Sequence, residues 1–270
     1  MQRESNGFIN RALIIAAGQG SRLHSITNGN PKPLTHLLGL SLIERVMLGV
    51  KEAGVHDFVM VIGYLGDKIR AKLGDGSKYG AKITYIENNE WQKGNGISVL
   101  KAKELLNKNN NEKFFLLMSD HIFESKVLQD LKKMNLEEDK CALVVDKAPE
   151  KHIDLDEATK VKIENGHIVK IGKNLKDYNG VDCGVFLLTP SIFEALEESR
   201  KNGDETLSGG IRILGKNGKV RTLDIKDHFW IDVDTENDYL EARKILVKRL
   251  IQDDASWSRQ RIKKIQRASK

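Results

Sequence analysis

Short apolar runs alternate with amphipathic segments along the first half of the chain. Apolar runs typical of buried strands cover Arg11–Ala17, Phe58–Ile62, Lys82–Ile86, Phe114–Met118 and Cys141–Val145. Segments with apolar residues at helical spacing cover Ser41–Glu52, Asp67–Leu73, Ile97–Leu106 and Leu128–Met134. Strands that alternate with helices in this way predict a parallel sheet covered by helices on both faces.

The pattern changes at about residue 146. Two short apolar runs, Val161–Ile163 and His167–Ile171, flank Glu164, Asn165 and Gly166, which is a hairpin signal. The elements predicted after the hairpin are a strand at Val181–Leu188, a helix at Ser191–Ser199, a strand at Val220–Ile225 and a closing helix at Thr235–Arg249. We therefore predict a Rossmann-like α/β domain over residues 1–250. It would have a mostly parallel mixed sheet flanked by helices, with a β-rich insertion, and a basic tail at 251–270 would follow.

The positive charge of the chain is concentrated in its tail. The formal net charge is +6, and the segment Trp257–Lys270 contributes six basic residues and no acidic one. The remainder is close to neutral, so the sequence does not favour a nucleic-acid partner. Two interpretations of the tail stay open: a solvated helix end, or a segment at a membrane surface, because Trp257, Ile262 and Ile265 interleave with the charges.

The apolar runs and the cysteines indicate the compartment. The apolar runs are of strand length, well below the roughly 18 residues that a spanning helix needs. Residues 1–10 are polar, which argues against a signal peptide. Cys141 and Cys183 fall in runs typical of buried strands, which favours two free thiols over a disulfide. We expect a cytoplasmic protein, with a membrane-surface location if the tail binds lipid.

The first apolar run leads into a turn of small residues. Gly18 and Gly20 would allow backbone N–H groups to approach an anion closely, and Arg22 could clamp phosphate oxygens. Lys32 lies between two prolines that hold the backbone extended. The sequence lacks the third glycine of a dinucleotide fingerprint, since Leu23 stands there, and no P-loop motif follows. Many ordinary strand-to-helix turns also contain Gly-x-Gly, so the turn alone does not establish a phosphate site.

Acidic residues occur where a parallel sheet places its sites. Asp120 follows the run Phe114–Met118, and ligands bind at the carboxyl ends of such strands. Asp232 and Asp234 are two positions apart in a predicted strand, so both side chains would share a face. Carboxylates are the protein ligands that Mg²⁺ prefers. The alternative for Asp120 is a turn or helix cap, and for Asp234 an N-cap of the helix starting near Glu236.

The glycine turn together with Pro31-Lys32-Pro33-Leu34 resembles the sugar-phosphate nucleotidyltransferase family. The resemblance implies a nucleotide-diphospho-sugar transferase-like fold whose insertion binds the acceptor. It implies catalytic roles for Arg22, Lys32 and Asp120, and Mg²⁺ held by Asp120 and Asp234, with Asp232 as a neighbouring candidate. The nucleotide-binding residues implied or predicted are Ala17, Gly18, Gly20, Ser21, Arg22, Asn95, Gly96 and Ser98. The acceptor-binding residues are Lys32, Lys173 and Asp182.

Within that family the chain is most similar to CTP:inositol-1-phosphate cytidylyltransferases. The likeness runs from about Arg11 to Leu250. It is carried by Gly94-Asn95-Gly96 with Ser98 and by the segments 156–161, 171–173 and 181–186. It implies transfer of a cytidylyl group from CTP to inositol-1-phosphate, giving CDP-inositol and pyrophosphate, and fusion to or association with a membrane CDP-alcohol phosphotransferase. Three alternatives remain open: another sugar-1-phosphate as the acceptor, phosphocholine as the acceptor, or a non-catalytic regulatory domain. The sequence also leaves open a stand-alone enzyme or the cytosolic half of a bifunctional protein.

Overall fold

A computed structural model describes residues 9–107 and 112–251. The basic tail predicted at 251–270 lies outside the described residues from 252 onwards, as do the first eight residues. The described strands are β1 (Arg11–Ala16), β2 (His36–Leu37), β3 (Leu40–Ser41), β4 (Asp57–Ile62), β5 (Lys82–Glu87), β6 (Phe114–Met118), β7 (His121–Phe123), β8 (Cys141–Asp146), β9 (Lys160–Glu164), β10 (His167–Gly172), β11 (Gly180–Leu188), β12 (Val220–Asp224) and β13 (Trp230–Asp232). The described α-helices are α1 (His24–Thr27), α2 (Leu42–Glu52), α3 (Gly66–Leu73), α4 (Asn95–Lys101), α5 (Lys103–Leu106), α6 (Lys126–Lys133), α7 (Ser191–Lys201), α8 (Leu207–Lys216) and α9 (236–251).

Nine strands form one mixed sheet in the order β5-β4-β1-β6-β11-β8-β12-β10-β9. The pairs β4–β5, β1–β4, β1–β6 and β8–β12 are parallel, whereas β11 and β10 run antiparallel to their neighbours. The predicted mixed sheet with a parallel core is therefore confirmed. The strands that follow residue 146 extend this same sheet, and the predicted hairpin forms its far edge as β9 and β10.

Two hydrophobic cores cover the two faces of the sheet. Along β1, Ala12 and Ile14 point into the first core, whereas Leu13 and Ile15 point into the second, as the alternation of side chains in a strand requires. Helices α2, α3 and α6 supply the first core, and α4, α7 and α8 supply the second. Cys141 and Cys183 are both buried and free, as predicted.

A smaller third core fixes the strand that carries the late acidic residues. β13 pairs antiparallel with β7, and the pair packs against α2 and α9 through Leu42, Ile122, Ile231 and Ala242. In this register Asp232 lies opposite His121. The two-stranded sheet therefore brings the end of β13 to the carboxyl end of β6.

Three sequence expectations need correction. The sequence pattern does not predict helix α8, because Gly209, Gly210 and Gly215 lower the helix propensity of the segment. Those glycines serve close packing: a Cβ on Gly210 would lie 2.7 Å from Leu196 Cδ2 on α7. The helix predicted at Ile97–Leu106 is two helices, α4 and α5. The strand predicted to carry both late aspartates ends at Asp232, so Asp234 lies beyond it.

Candidate functional site

The predicted site residues converge at the carboxyl ends of β1 and β6. β1 ends at Ala16 and leads into the glycine turn, and β6 ends at Met118, two residues before Asp120. The two strands are direct neighbours, with Ile15 paired to Met118. The edge of the sheet thus places the glycine turn beside Asp120, as expected for ligand sites of open parallel sheets.

Glycine occupies positions 18 and 20 of the turn for different structural reasons. A Cβ on Gly18 would meet no heavy atom within 4 Å, so this backbone faces open space. Gly20 has a φ of +62°, and a Cβ there would overlap the Cβ of Lys32. Gly20 is therefore needed for its left-handed backbone and for the passage of the Lys32 side chain beneath the turn.

Lys32 is buried at the centre of the site. It begins a 3₁₀ turn at Lys32–Leu34, preceded by Pro31, and Thr35 N donates to its carbonyl oxygen at 2.9 Å. Its side chain is only 5% exposed, and Nζ donates to Asp120 Oδ2 at 2.6 Å and to Asp234 Oδ1. Burial alone would lower the pKa of Lys32, but the charges of the nearby aspartates outweigh it and raise the pKa above its ordinary value.

His121 lies between two of the carboxylates. Its Nδ1 is 3.0 Å from Asp120 Oδ1 and 3.5 Å from Asp232 Oδ1. Burial opposes the charged imidazolium, yet these two carboxylates raise the pKa of His121 to about 9. Burial would also raise the pKa of Asp120, but Lys32 and His121 hold it well below its usual range.

The surroundings of Asp232 leave one oxygen of its carboxylate available to bind a cation. Burial and the neighbouring aspartates raise its pKa to about 7, although His121 and Lys32 oppose this shift. Its Oδ1 is buried and has no hydrogen-bond partner among the described residues. One ligand atom from each of Asp120, His121 and Asp232 lies within 4.8 Å of the others. The carboxylate oxygens of Asp120 and Asp232 fit a divalent cation, and His121 holds Asp120 in place through its ring nitrogen.

Asp234 is not the N-cap that the sequence left open. Thr235 caps α9 instead: its Oγ1 donates to Asp238 Oδ2 at 2.8 Å and accepts from Asp238 N at 3.3 Å. The Asp234 carboxylate is bonded to Lys32 and to Arg22. Arg22 also donates to Glu157 Oε2 at 3.1 Å, so its guanidinium joins the aspartate cluster to the loop that precedes β9.

Two pockets adjoin this cluster of Lys32, Asp120, Asp232 and Asp234. The first, about 220 Å³, is lined by the glycine turn, Trp91, Asn95, Lys32 and Asp120. The second, about 210 Å³, is lined by Arg22, Lys173, Asp182, Glu157, Asp232 and Asp234, among others. The carboxylates therefore stand between the two pockets. Lys32 lines the first pocket and not the second, whereas the family resemblance implies that it also contacts the acceptor.

The residues predicted to contact a base have contacts within the protein. Asn95 Oδ1 accepts from Leu207 N at 2.8 Å, and Ser98 accepts from Asn88 Nδ2 at 3.0 Å. A Cβ on Gly96 would lie 2.7 Å from the carbonyl oxygen of Glu205. Asn95 and Ser98 still line the first pocket, whereas Gly96 and the exposed Ser21 do not.

The predicted acceptor residues Lys173 and Asp182 line the second pocket. Lys173 has a 58% exposed side chain, and its Nζ lies 3.4 Å from Glu157 Oε2, the oxygen that also accepts from Arg22. Asp182 accepts from Gly184 N at 2.7 Å, and burial raises its pKa to about 6. Both residues are therefore placed to meet a ligand in this pocket.

Several supporting residues escape prediction from the sequence. Trp230 Nε1 donates to Asp146 Oδ2 at 2.8 Å, and His152 Nε2 contacts Trp230 O at 3.2 Å. These contacts fix the start of β13, which ends in Asp232. The apolar run around Trp230 and the position of His121 directly after Asp120 are the signals available for these residues. Glu157 lies in the segment 156–161 that carries the family likeness, whereas nothing in the sequence pattern points to His152.

The family model described as nucleotidyl transferase matches residues 11–249, and the chain belongs to this family. The predicted enzyme class, a nucleotidyltransferase, is thereby confirmed. The chain is 35% identical over 246 residues to the bifunctional IPC transferase and DIPP synthase of Aquifex aeolicus, covering 90% of this chain and 53% of that protein. It is 36% identical over 231 residues to the Rubrobacter xylanophilus protein of the same name, covering 84% and 50%. The chain thus spans about half the length of the curated relatives it matches.

Solved structures agree with this assignment. The inositol-1-phosphate CTP transferase from T. maritima superposes with a TM-score of 0.74 at 30% identity, covering 86% of this chain and 92% of that one. A UDP-glucose pyrophosphorylase complexed with UDP-glucose superposes with a TM-score of 0.74 at 20% identity, over 90% of this chain and 100% of that one, which shows a shared fold. The predicted nucleotide-diphospho-sugar transferase-like fold is confirmed. Within residues 9–107 and 112–251, every helix is too short or too polar to cross a bilayer.

Proposed function

We propose that this chain transfers a cytidylyl group from CTP to inositol-1-phosphate, giving CDP-inositol and pyrophosphate. The observation that carries the proposal is the aspartate cluster between two pockets, with the glycine turn on one side and Lys173 on the other. The names of the relatives, IPC transferase and inositol-1-phosphate CTP transferase, support this choice of substrates.

CTP would occupy the first pocket, with its phosphates against the turn at Gly18 and its base near Asn95. The open space in front of Gly18 leaves room for an anion at the backbone. Lys32 and Arg22 would supply positive charge to the phosphates, Arg22 from the side of the second pocket. The inositol phosphate would occupy that second pocket, where Lys173 offers an ammonium group and Asp182 a carboxylate for hydroxyl groups.

The metal of the reaction would be Mg²⁺, held by Asp120 and Asp234 with Asp232 beside them. His121 orients Asp120, and the orphaned oxygen of Asp232 adds a further donor. Mg²⁺ would offset the negative charge on the attacking and leaving phosphate oxygens.

The transfer needs no general base, because the acceptor phosphate is already ionised. A phosphate oxygen of inositol-1-phosphate attacks the α-phosphorus of CTP, the new P–O bond forms, and the bond to pyrophosphate breaks in line. Catalysis is then positioning plus charge stabilisation by Lys32 and Arg22. A Lys32 side chain that is 5% exposed acts in a low-dielectric setting, where its charge has most effect.

Pyrophosphate release with Mg²⁺ tests the substrates. The panel combines CTP, UTP, GTP, ATP and dTTP with inositol-1-phosphate, phosphocholine and glucose-1-phosphate. We expect a strong signal only for CTP with inositol-1-phosphate. Pyrophosphate release with another pair would contradict the proposed substrates but would still support nucleotidyl transfer. No release with any pair would favour a regulatory domain of the same fold.

The product points to a membrane enzyme as the next step, and we propose that the chain works beside a CDP-alcohol phosphotransferase at the membrane surface. Helix α9 supports this location, because it exposes Leu240, Val247 and Ile251 along one side, next to Lys244 and Lys248. Sedimentation with anionic vesicles, compared with neutral ones, tests it. Binding to anionic vesicles that is lost in Val247→Glu supports the location, and a protein that stays in solution contradicts it.

A further inference from the structure

The ammonium group of Lys32 occupies the place of a cation among the aspartates. Nζ donates to Asp120 Oδ2 at 2.6 Å, is bonded to Asp234 Oδ1, and lies 3.9 Å from Asp232 Oδ1. Asp120 and Asp234 are the carboxylates to which the proposed function gives the metal. Because both carry positive charge, an ammonium group bonded to these oxygens opposes the entry of a divalent cation.

The backbone around Lys32 holds the side chain in this place. The 3₁₀ turn Lys32–Leu34 follows Pro31 and fixes the direction of the Lys32 Cα–Cβ bond. Gly20 closes over the side chain so tightly that a Cβ there would overlap Lys32 Cβ. Since a buried ammonium without a counter-ion is costly, the Lys32 side chain is confined to these carboxylates unless another anion reaches it.

The charges of the cluster lead to the same conclusion. Three cationic groups face four carboxylates here. The cations are Lys32, Arg22 and the imidazolium of His121, and the carboxylates are Asp120, Asp232, Asp234 and Glu157. A divalent cation alone would therefore enter a cluster with at most one net negative charge. A nucleotide triphosphate brings its own negative charge, and the first pocket, which both Lys32 and Gly18 line, is where it would arrive.

We propose that Lys32 blocks the metal site of the nucleotide-free protein, so that a divalent cation binds only together with nucleotide, when the ammonium group of Lys32 transfers from the carboxylates to the phosphates. The proposal rests on the proposed function only for the presence of a nucleotide in the first pocket. The metal and the nucleotide would then bind together. When the phosphates arrive, Lys32 binds them and releases Asp120 and Asp234.

Binding of Mn²⁺ alone to the full chain, followed by electron paramagnetic resonance of the free ion, tests this. The variants are Lys32→Met, which retains an unbranched side chain one atom shorter and removes its charge, and Lys32→Arg, which keeps a charge. Lys68→Met is a control, because Lys68 Nζ donates to the Gly29 carbonyl oxygen at the exposed surface. We expect Lys32→Met to bind Mn²⁺ at least about tenfold more tightly than the wild type. Lys32→Arg and Lys68→Met should match the wild type, and adding Asp120→Asn to Lys32→Met should remove the gain.

Mn²⁺ affinity that is equal in the wild type and Lys32→Met would overturn the proposal. If Lys32→Met does not fold, thermal unfolding of the wild type decides the question. Millimolar Mg²⁺ without nucleotide should leave the melting temperature unchanged, and a rise that Asp120→Asn abolishes would overturn the proposal. None of these measurements contains a nucleotide, so a wrong choice of CTP would appear in the substrate panel and leave this result intact.

Discussion

Lys32 and Asp120 are joined by an ion pair of 2.6 Å although 88 positions separate them in the chain. Lys32 comes from a proline-flanked turn after β1, and Asp120 follows the neighbouring strand β6. The pairing of β1 with β6 brings the two segments together, so the sheet itself assembles the charged centre.

Asp120→Asn should abolish most of the activity without unfolding the protein. The amide keeps the size of the side chain but is a poor metal ligand, so kcat should fall by about 10³-fold or more. Lys32 keeps Asp234 as a partner, so the variant should fold, with a melting temperature lowered by the loss of the charged bonds to Lys32 and His121. Asp177→Asn is the control, since Asp177 is an exposed acid paired with Lys162. A near-normal rate of Asp120→Asn would remove Asp120 from the catalytic residues.

Alanine at the two glycines of the turn should have different effects. Gly20→Ala combines a φ of +62° with an overlap with Lys32, so it should lower the free energy of unfolding by about 1–3 kcal/mol and reduce kcat. Gly18→Ala has space for its methyl group and should fold normally, with a raised KM for the nucleotide. Gly29→Ala controls for strain alone, because its φ is +73° and a Cβ there has no neighbour within 4 Å. Urea unfolding and steady-state kinetics measure both effects; a normal KM in Gly18→Ala would contradict the phosphate site.

Lys173→Ala should weaken binding of the acceptor selectively. The side chain is 58% exposed, so its loss should not affect folding, and the KM for inositol-1-phosphate should rise about tenfold. The KM for CTP should stay within about twofold. Lys170→Ala is a matched control, because Lys170 is exposed on β10, the strand that Lys173 directly follows, and does not line the second pocket. An equal rise of the KM for CTP would show that Lys173 does not distinguish the two substrates.

The capping box of α2 should make stability depend on pH. Glu44 accepts from Ser41 N at 2.8 Å and from Tyr79 OH at 2.6 Å. Although burial opposes ionisation, hydrogen bonds from Ser41 and Tyr79 lower the pKa of Glu44 from 4.5 to about 2. A carboxyl group with a lowered folded-state pKa stabilises the protein above its unfolded pKa and loses that contribution as pH falls.

Glu44→Gln should therefore cost about 2 kcal/mol near pH 7. The difference from the wild type should shrink as pH falls from about 5 towards 3, because the stabilisation by ionised Glu44 is lost while the neutral amide of the variant does not titrate. Glu52→Gln is the control, because Glu52 lies at the other end of the same helix. Chemical denaturation at each pH is the measurement. A difference that stays constant over this pH range would contradict the assigned pKa shift.

Much of this arrangement follows from local sequence pattern. The apolar run predicts the strand Phe114–Met118 to the residue, and the turn at Asn165 and Gly166 predicts the hairpin of β9 and β10. Such features depend on neighbours in the chain. Local sequence pattern does not predict helix α8, because its glycines disfavour a helix locally. Their packing against α7 favours the helix in the folded protein.

The details of the site depend on contacts between distant segments. The sequence indicates Asp120, Asp232 and Asp234, but the shared strand face expected for the last two is wrong because β13 ends at Asp232. The position of Lys32 between the carboxylates and the link from Arg22 through Glu157 to Lys173 join segments with no common local pattern. The assignments of individual residues to nucleotide, acceptor and metal stay predictions that the variants above examine.

Identification of the product tests the proposed cytidylyl transfer most directly. CTP and inositol-1-phosphate are incubated with the protein and Mg²⁺, and the mixture is followed by ³¹P nuclear magnetic resonance, with Asp120→Asn in parallel. We expect two coupled diphosphate signals of CDP-inositol together with pyrophosphate in the wild type, and unchanged substrates in the variant. Unchanged CTP and inositol-1-phosphate in the wild-type sample, or the same product at an equal rate in Asp120→Asn, would contradict it.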